Sequence, residues 1–101
     1  MTLLTHIQNH LPELQALAKE KGVSNIRLVG SVARGEDTEE SDIDFYVDFD
    51  PNIAGGIAIG GFQYYASELL GRHVDVIATN DKLYPEIRAS FERDALPLSE
   101  L

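Results

Sequence analysis

The stretch that decides the fold runs Leu28-Val29-Gly30-Ser31, then ten residues, then Asp42-Ile43-Asp44-Phe45-Tyr46-Val47-Asp48-Phe49-Asp50. From Asp42 to Asp50 the residue types alternate strictly. Ile43, Phe45, Val47 and Phe49 point one way, and Asp42, Asp44, Tyr46, Asp48 and Asp50 the other. That is the period of a β-strand with one dry and one wet face. Upstream, Ile26 to Val29 is a short apolar, β-branched run that stops at Gly30 and reads as a second strand. Gly30 allows a sharp turn and lets a ligand approach the main chain. Ser31 offers a hydroxyl and an N–H at the start of a short helix, Val32 to Arg34, a setting that suits phosphate oxygens. Residues 36–41 are polar and aperiodic, and read as a loop.

On the N-terminal side, Leu3, Leu4, Ile7 and Leu11 recur at helical spacing, and Leu14, Leu17 and Ala18 continue the stripe. Pro12 interrupts one helix but suits the first turn of another, so two short helices or one kinked helix fit, ending near Gly22. On the C-terminal side, Ile57 to Leu70 reads as a helix with Phe62, Tyr65, Ala66, Leu69 and Leu70 as its buried stripe and Gly71 as its stop. The glycines at 55, 56, 60 and 61 blur its start. Val74 to Ile77 reads as a third strand, and Pro85 opens a last helix toward Ala95 that Pro97 ends. The order helix, strand, strand, helix, strand, helix implies an α/β (α+β) domain: a small mixed sheet flanked by helices.

Asp42 and Asp44 lie two apart on one strand, so their Cα atoms sit roughly 6–7 Å apart and both carboxylates leave the same face. Such a pair can converge on one hard cation, or on two cations about 3.5–4 Å apart. Asp48, four residues beyond Asp44, is ~13 Å away and reads with Asp50 as the end of a solvated strand. His6 and His10 are one helical turn apart with no third ligand in view, which makes them surface histidines. His73 shares the face of Asp75 two residues on, where a supporting contact or a ligand contact is open to it. Phe62 and the Tyr64-Tyr65 pair read as core plus one exposed ring. Ser67 has no base beside it and does not read as a nucleophile.

The chain of 101 residues makes one domain, residues 1–101. It carries 17 acidic and 8 basic residues, a net charge of −9. A protein that grips phosphate backbones presents a basic face, so direct nucleic-acid binding is not expected. The charge is concentrated: residues 36–50 hold eight acids and no base, and the remainder is nearly neutral. Carboxylates so clustered attract divalent cations and steer in a basic partner surface. The absence of cysteine removes disulfides, thiolate nucleophiles and Cys-type zinc sites, and fits a cytoplasmic location. No signal peptide is legible in Met1 to Leu11. The longest weakly polar run, Ile53 to Phe62, falls far short of the ~20 residues of a membrane helix, so no membrane partner is expected.

Gly-Ser, ten residues and Asp-x-Asp form a motif that resembles the nucleotidyltransferase superfamily related to DNA polymerase β. The string Gly30-Ser31-Val32-Ala33-Arg34-Gly35-Glu36, followed by Ser41-Asp42-Ile43-Asp44, is similar to the minimal nucleotidyltransferase (MNT) branch, over nearly the whole chain. Asp75, between Val74 and Val76, fits the slot of the family's third carboxylate. The resemblance implies attack on the α-phosphate of a magnesium-bound nucleoside triphosphate with loss of pyrophosphate. It implies Asp42, Asp44 and Asp75 as catalytic residues and ligands of Mg²⁺ (two ions), with Asp75 on the second ion or helping to deprotonate the acceptor hydroxyl. Gly30 and Ser31 would cradle the β- and γ-phosphates of ATP. For Arg34, contact with phosphate and pairing with Glu36 or Asp37 stand as equal alternatives.

Larger relatives position the acceptor with an extra domain, and a chain of this length leaves little room for one. The acceptor is then expected from another protein. The resemblance implies which: many MNT proteins are antitoxins that transfer AMP from ATP to a tyrosine of a HEPN-domain ribonuclease toxin, in a hetero-oligomeric pair. Two alternatives remain beside a protein adenylyltransferase antitoxin. One is an antitoxin that neutralises by binding alone; the other is a small-molecule nucleotidyltransferase.

Overall fold

The computed structural model describes residues 2–55 and 57–101; Gly56, among the glycines that blur one helix start, lies outside them. Two helices lead: α1, Leu3–Gln8, and α2, Leu11–Glu20. Pro12 sits in the first turn of α2, where its missing N–H has no helical partner to lose. Thr2 caps α1 by accepting from the Thr5 N–H. After Gly22 comes β1, Val23–Val29, and directly on it the one-turn helix α3, Gly30–Arg34. The alternating stretch forms β2, Ile43–Phe49, followed by the short α4, Pro51–Ala54, which Asp50 caps through the Asn52 N–H. Then come α5, Ala58–Leu70, stopped by left-handed Gly71, and β3, Val74–Ala78. The helix α6, Pro85–Asp94, the two-residue β4, Leu96–Pro97, and a 3₁₀ turn over Leu98–Glu100 complete the chain.

The sheet has the order β3-β2-β1-β4. β1 runs antiparallel to both β2 and β4, and β2 runs parallel to β3, so the sheet is mixed. The core lies between one sheet face and the leading helices with α5. Ile26, Leu28, Ile43, Phe45 and Val47 meet Ile7, Leu14, Ala18, Phe62, Ala66 and Leu70 there. The apolar half of the β2 alternation is thus the buried half, as the pattern dictates. No helix among the described residues is long and apolar enough to cross a membrane.

The opposite sheet face departs from the sequence expectation. Tyr46, placed with the aspartates on the wet face, is 1% exposed. The helix α6 covers it: the Phe91 ring lies 5.5 Å from the Tyr46 ring, the Arg27 guanidinium stacks at 4.6 Å, and Arg88 donates to the Tyr46 hydroxyl at 2.9 Å. Arg88 also donates to the carbonyls of Thr79 and Asp81, which ties α6 to the loop after β3. Asp48 is likewise engaged rather than merely solvated. Burial pushes its carboxyl up, but hydrogen bonds from Asn25 and Thr79 and the Arg27 charge hold it below the usual range.

Three smaller expectations also shift. β1 begins at Val23, three residues early, with a bulge between Ser24 and Arg27 where Asn25 takes a positive φ of 49°. Tyr65, expected in the buried stripe of α5, is exposed together with Tyr64, so neither ring of that pair is core. His6 is half-buried, its Nε2 donating to the Leu70 carbonyl at 2.6 Å and joining α1 to the end of α5.

Candidate active site

Strand register builds the site. Val29 pairs with Asp44 across β1 and β2, and Asp44 pairs with Asp75 across β2 and β3. One row across three strands therefore carries the Gly30 turn, Asp44 and Asp75 at neighbouring positions. Gly30 follows with φ +77°, and a Cβ there would lie 2.6 Å from Asp44 Oδ2. The glycine is thus required twice, by its left-handed backbone and by the carboxylate packed over it. Ser31 is the second residue of α3, whose N-terminus has no side-chain cap, and the turn closes through the Glu36 N–H to the Ser31 carbonyl at 2.9 Å.

The edge strand β3 is held from outside by side chains. The N–H of Val74 donates to Ser67 Oγ, that of Val76 to Gln63 Oε1 and that of Ala78 to Asp81 Oδ2. A free strand edge presents unpaired donors, and here α5 supplies two of the acceptors. Ser67 is therefore structural, with its own hydroxyl donating to the Gln63 carbonyl. Asp42 immediately precedes β2. The loop before it is held by the Arg72 guanidinium donating to the Ser41 carbonyl, and by a turn in which the Thr38 N–H donates to Ser41 Oγ. Gln63 and Arg72 carry no sequence signal of their own. Gln63 stands one turn before Ser67 on the flank of the apolar stripe, a polar i, i+4 pair that marks a strand edge only once α5 is known to lie on β3.

Donor atoms of Asp42, His73 and Asp75 all lie within 4.8 Å of one another, and His73 Nε2 is 2.9 Å from Asp75 Oδ1. Asp44 lies beside Asp75 on the neighbouring strand, half-buried against Gly30. Its carboxyl is pushed up to about 6, by burial first and then by the Asp75 and Asp42 charges. Three carboxylates so close repel one another unless protons or a cation intervene. A hard divalent cation, which takes carboxylate oxygens, water and phosphate oxygens, fits this donor set. Arg34 is engaged on both sides, donating to Glu36 at 2.9 Å and to Asp94 of α6 at 3.0 Å, and both partners raise its pKa. Pairing with Glu36, one of the roles open to Arg34 in the sequence, is present. The second partner comes from sixty residues away.

The site is an open ledge at the end of the sheet where β1 stops and β2 and β3 begin. A cavity of about 500 Å³ lies at the other end, lined by Ala18, Val23, Asn25, Ile53 and Leu98, and includes none of the site residues. Its exposed and half-buried carboxylates can hold a cation together with phosphate oxygens.

Comparison with known proteins bears on this geometry. The nucleotidyltransferase domain profile matches residues 7–97. A Methanocaldococcus jannaschii protein, provisionally named as a protein adenylyltransferase, is 36% identical over 102 residues, covering 95% of this chain and 98% of the relative. A solved structure described provisionally as a minimal nucleotidyltransferase superposes with a TM-score of 0.79 at 31% identity, covering 96% of each chain. A toxin–antitoxin crystal structure with AMP-PNP shares the fold at a TM-score of 0.69 and 20% identity, over 90% of this chain and 71% of that one.

Proposed function

The chain belongs to the nucleotidyltransferase domain family, and from that premise we propose that it transfers AMP from ATP to a tyrosine hydroxyl of a partner HEPN-domain ribonuclease toxin, which it thereby silences. The observation that carries the reading is the row Gly30, Asp44 and Asp75 across three strands, with Asp42 at its rim. The name of the Methanocaldococcus jannaschii relative supports a protein as acceptor, and so does the openness of the ledge.

Asp42, Asp44 and Asp75 would hold Mg²⁺, which when bound neutralises the triphosphate and acidifies the acceptor hydroxyl. The chain's residues do the rest. Gly30 leaves the main chain bare, so that backbone N–H groups and the Ser31 hydroxyl reach the β- and γ-phosphates. The Asp75 carboxylate accepts the proton of the attacking hydroxyl. The acceptor oxygen bonds to the α-phosphorus, the bond to the bridging oxygen breaks, and pyrophosphate carries that electron pair away. Arg34 turns from Glu36 and Asp94 to the phosphates.

Incubation with the protein encoded beside it, Mg²⁺ and each nucleoside triphosphate tests the reading by intact mass. One or more AMP additions on that neighbour are expected with ATP. A tight complex with no mass gain under any nucleotide would replace transfer by neutralisation through binding. Asp42→Ala with Asp44→Ala should abolish the gain while leaving a cooperative thermal melt, because both carboxylates lie outside the apolar core.

A further inference from the structure

His73 has no part in the transfer chemistry above, yet it stands among the donors. Its Nε2 lies 2.9 Å from Asp75 Oδ1, and the Asp42 carboxylate completes a trio within 4.8 Å. Two donors at adjacent positions of an octahedral cation with bonds of about 2.1 Å are about 3 Å apart, and opposite donors about 4.2 Å. The His73–Asp75 pair, joined by a hydrogen bond, already has the adjacent spacing, and Asp42 lies within 4.8 Å of both; a cation would take the place of the bridging proton. Asp42 and His73 are exposed and Asp75 partly so, which lets a cation enter with its remaining waters.

We propose that His73 is a direct ligand of a divalent cation shared with Asp42 and Asp75, and that it makes this position select Mn²⁺ over Mg²⁺. The proposal rests on the nucleotidyl-transfer reading for the cation's purpose, but not for its binding. The selectivity follows from donor chemistry. Mg²⁺ demands oxygen and gives up water reluctantly, whereas imidazole nitrogen suits the first-row transition metals. Two carboxylates balance the cation's charge, and a neutral imidazole adds a strong bond without further charge. Arg72, the nearest basic side chain in sequence, is occupied by the Ser41 carbonyl.

The test uses the full metal-free chain titrated with Mn²⁺ alone, free Mn²⁺ being read by electron paramagnetic resonance, then repeated with competing Mg²⁺. The wild type is expected to bind Mn²⁺ more tightly than Mg²⁺ and to show nitrogen hyperfine modulation on the bound ion. His73→Ala should lose the modulation and about tenfold in Mn²⁺ affinity, with Mg²⁺ affinity kept within about twofold. Bound Mn²⁺ without nitrogen modulation in the wild type, equal Mn²⁺ affinity in the two proteins, or no Mn²⁺ binding would each overturn the proposal. The mass-gain assay with Mg²⁺ reports separately on transfer. A nitrogen signal without transfer sinks the adenylyltransferase reading and leaves His73 a ligand; transfer without the signal does the reverse.

Discussion

At the scale of the residue, Gly30 and Asp44 form one unit. Gly30→Ala puts a methyl 2.6 Å from Asp44 Oδ2 at a φ of +77°. The left-handed backbone alone costs about 1–2 kcal/mol, and the displaced carboxylate adds to it. Denaturant unfolding should show that loss, and transfer should fall by about a hundredfold, since a shift of about 1 Å at a reacting centre costs that much. Asp44 also sets a pH dependence. Its folded carboxyl keeps a proton up to about 6, whereas the unfolded chain releases it near the ordinary 3.8. Between those values the folded state binds more protons, so without a cation stability falls as pH rises through the window. Asp44→Asn should remove that slope and stabilise the cation-free domain at neutral pH by about 1–2 kcal/mol, after allowance for solvent screening. Thermal melts from pH 4 to 8 in chelator decide it, and an unchanged slope would count against Asp44 as its source. Cation affinity of the wild type should weaken below about pH 6, where Asp44 takes up its proton. Asp42, Asp44 and the Gly-Ser turn were legible in the sequence because their spacing is local, and Asp75 came from the family resemblance. The partners of Arg34 were half-legible: Glu36 is two residues away, Asp94 sixty.

Among the elements, β3 matters most, because it carries Asp75 on an otherwise open edge. Gln63→Leu removes the acceptor for the Val76 N–H and leaves that donor to water or unpaired, at about 1–2 kcal/mol. Faster hydrogen exchange at Val76 and reduced transfer are expected together. Exchange without a change in transfer would mean that Gln63 holds the strand but not Asp75. Arg88→Met should destabilise by about 2–3 kcal/mol, since it strips donors from the Tyr46 hydroxyl and two loop carbonyls in one step. Both predictions depend on elements whose positions periodicity does not encode. The leading helices, α5 and the three main strands follow from apolar spacing and the last helix from its flanking prolines, whereas α4 carries no such signal and β4 has two residues and takes its identity from pairing with Arg27 and Leu28.

For the whole molecule, the uneven charge sets the behaviour. Six of the acids lie in residues 36–44, in the loop and first strand positions beside the ledge, and form a field that draws cations and basic surfaces toward it. Glu39→Gln with Glu40→Gln, both exposed, should flatten the salt dependence of Mg²⁺ binding without moving the melting temperature. An identical salt slope in calorimetry would assign the attraction to the site carboxylates alone. The sequence by itself determined the mixed α/β class, the dry face of β2 and the Asp42 and Asp44 pair, because each is written in local residue spacing, whereas Asp75 entered only through the family resemblance. Only the tertiary structure decided that Asp44 sits beside Asp75, that Asp42, His73 and Asp75 share a cluster, and that α6 turns Tyr46 from a wet position into a buried one. Those facts depend on strand order, register and the helix laid over the second face. Such contacts join residues far apart in the chain, and no local pattern of residue types encodes them.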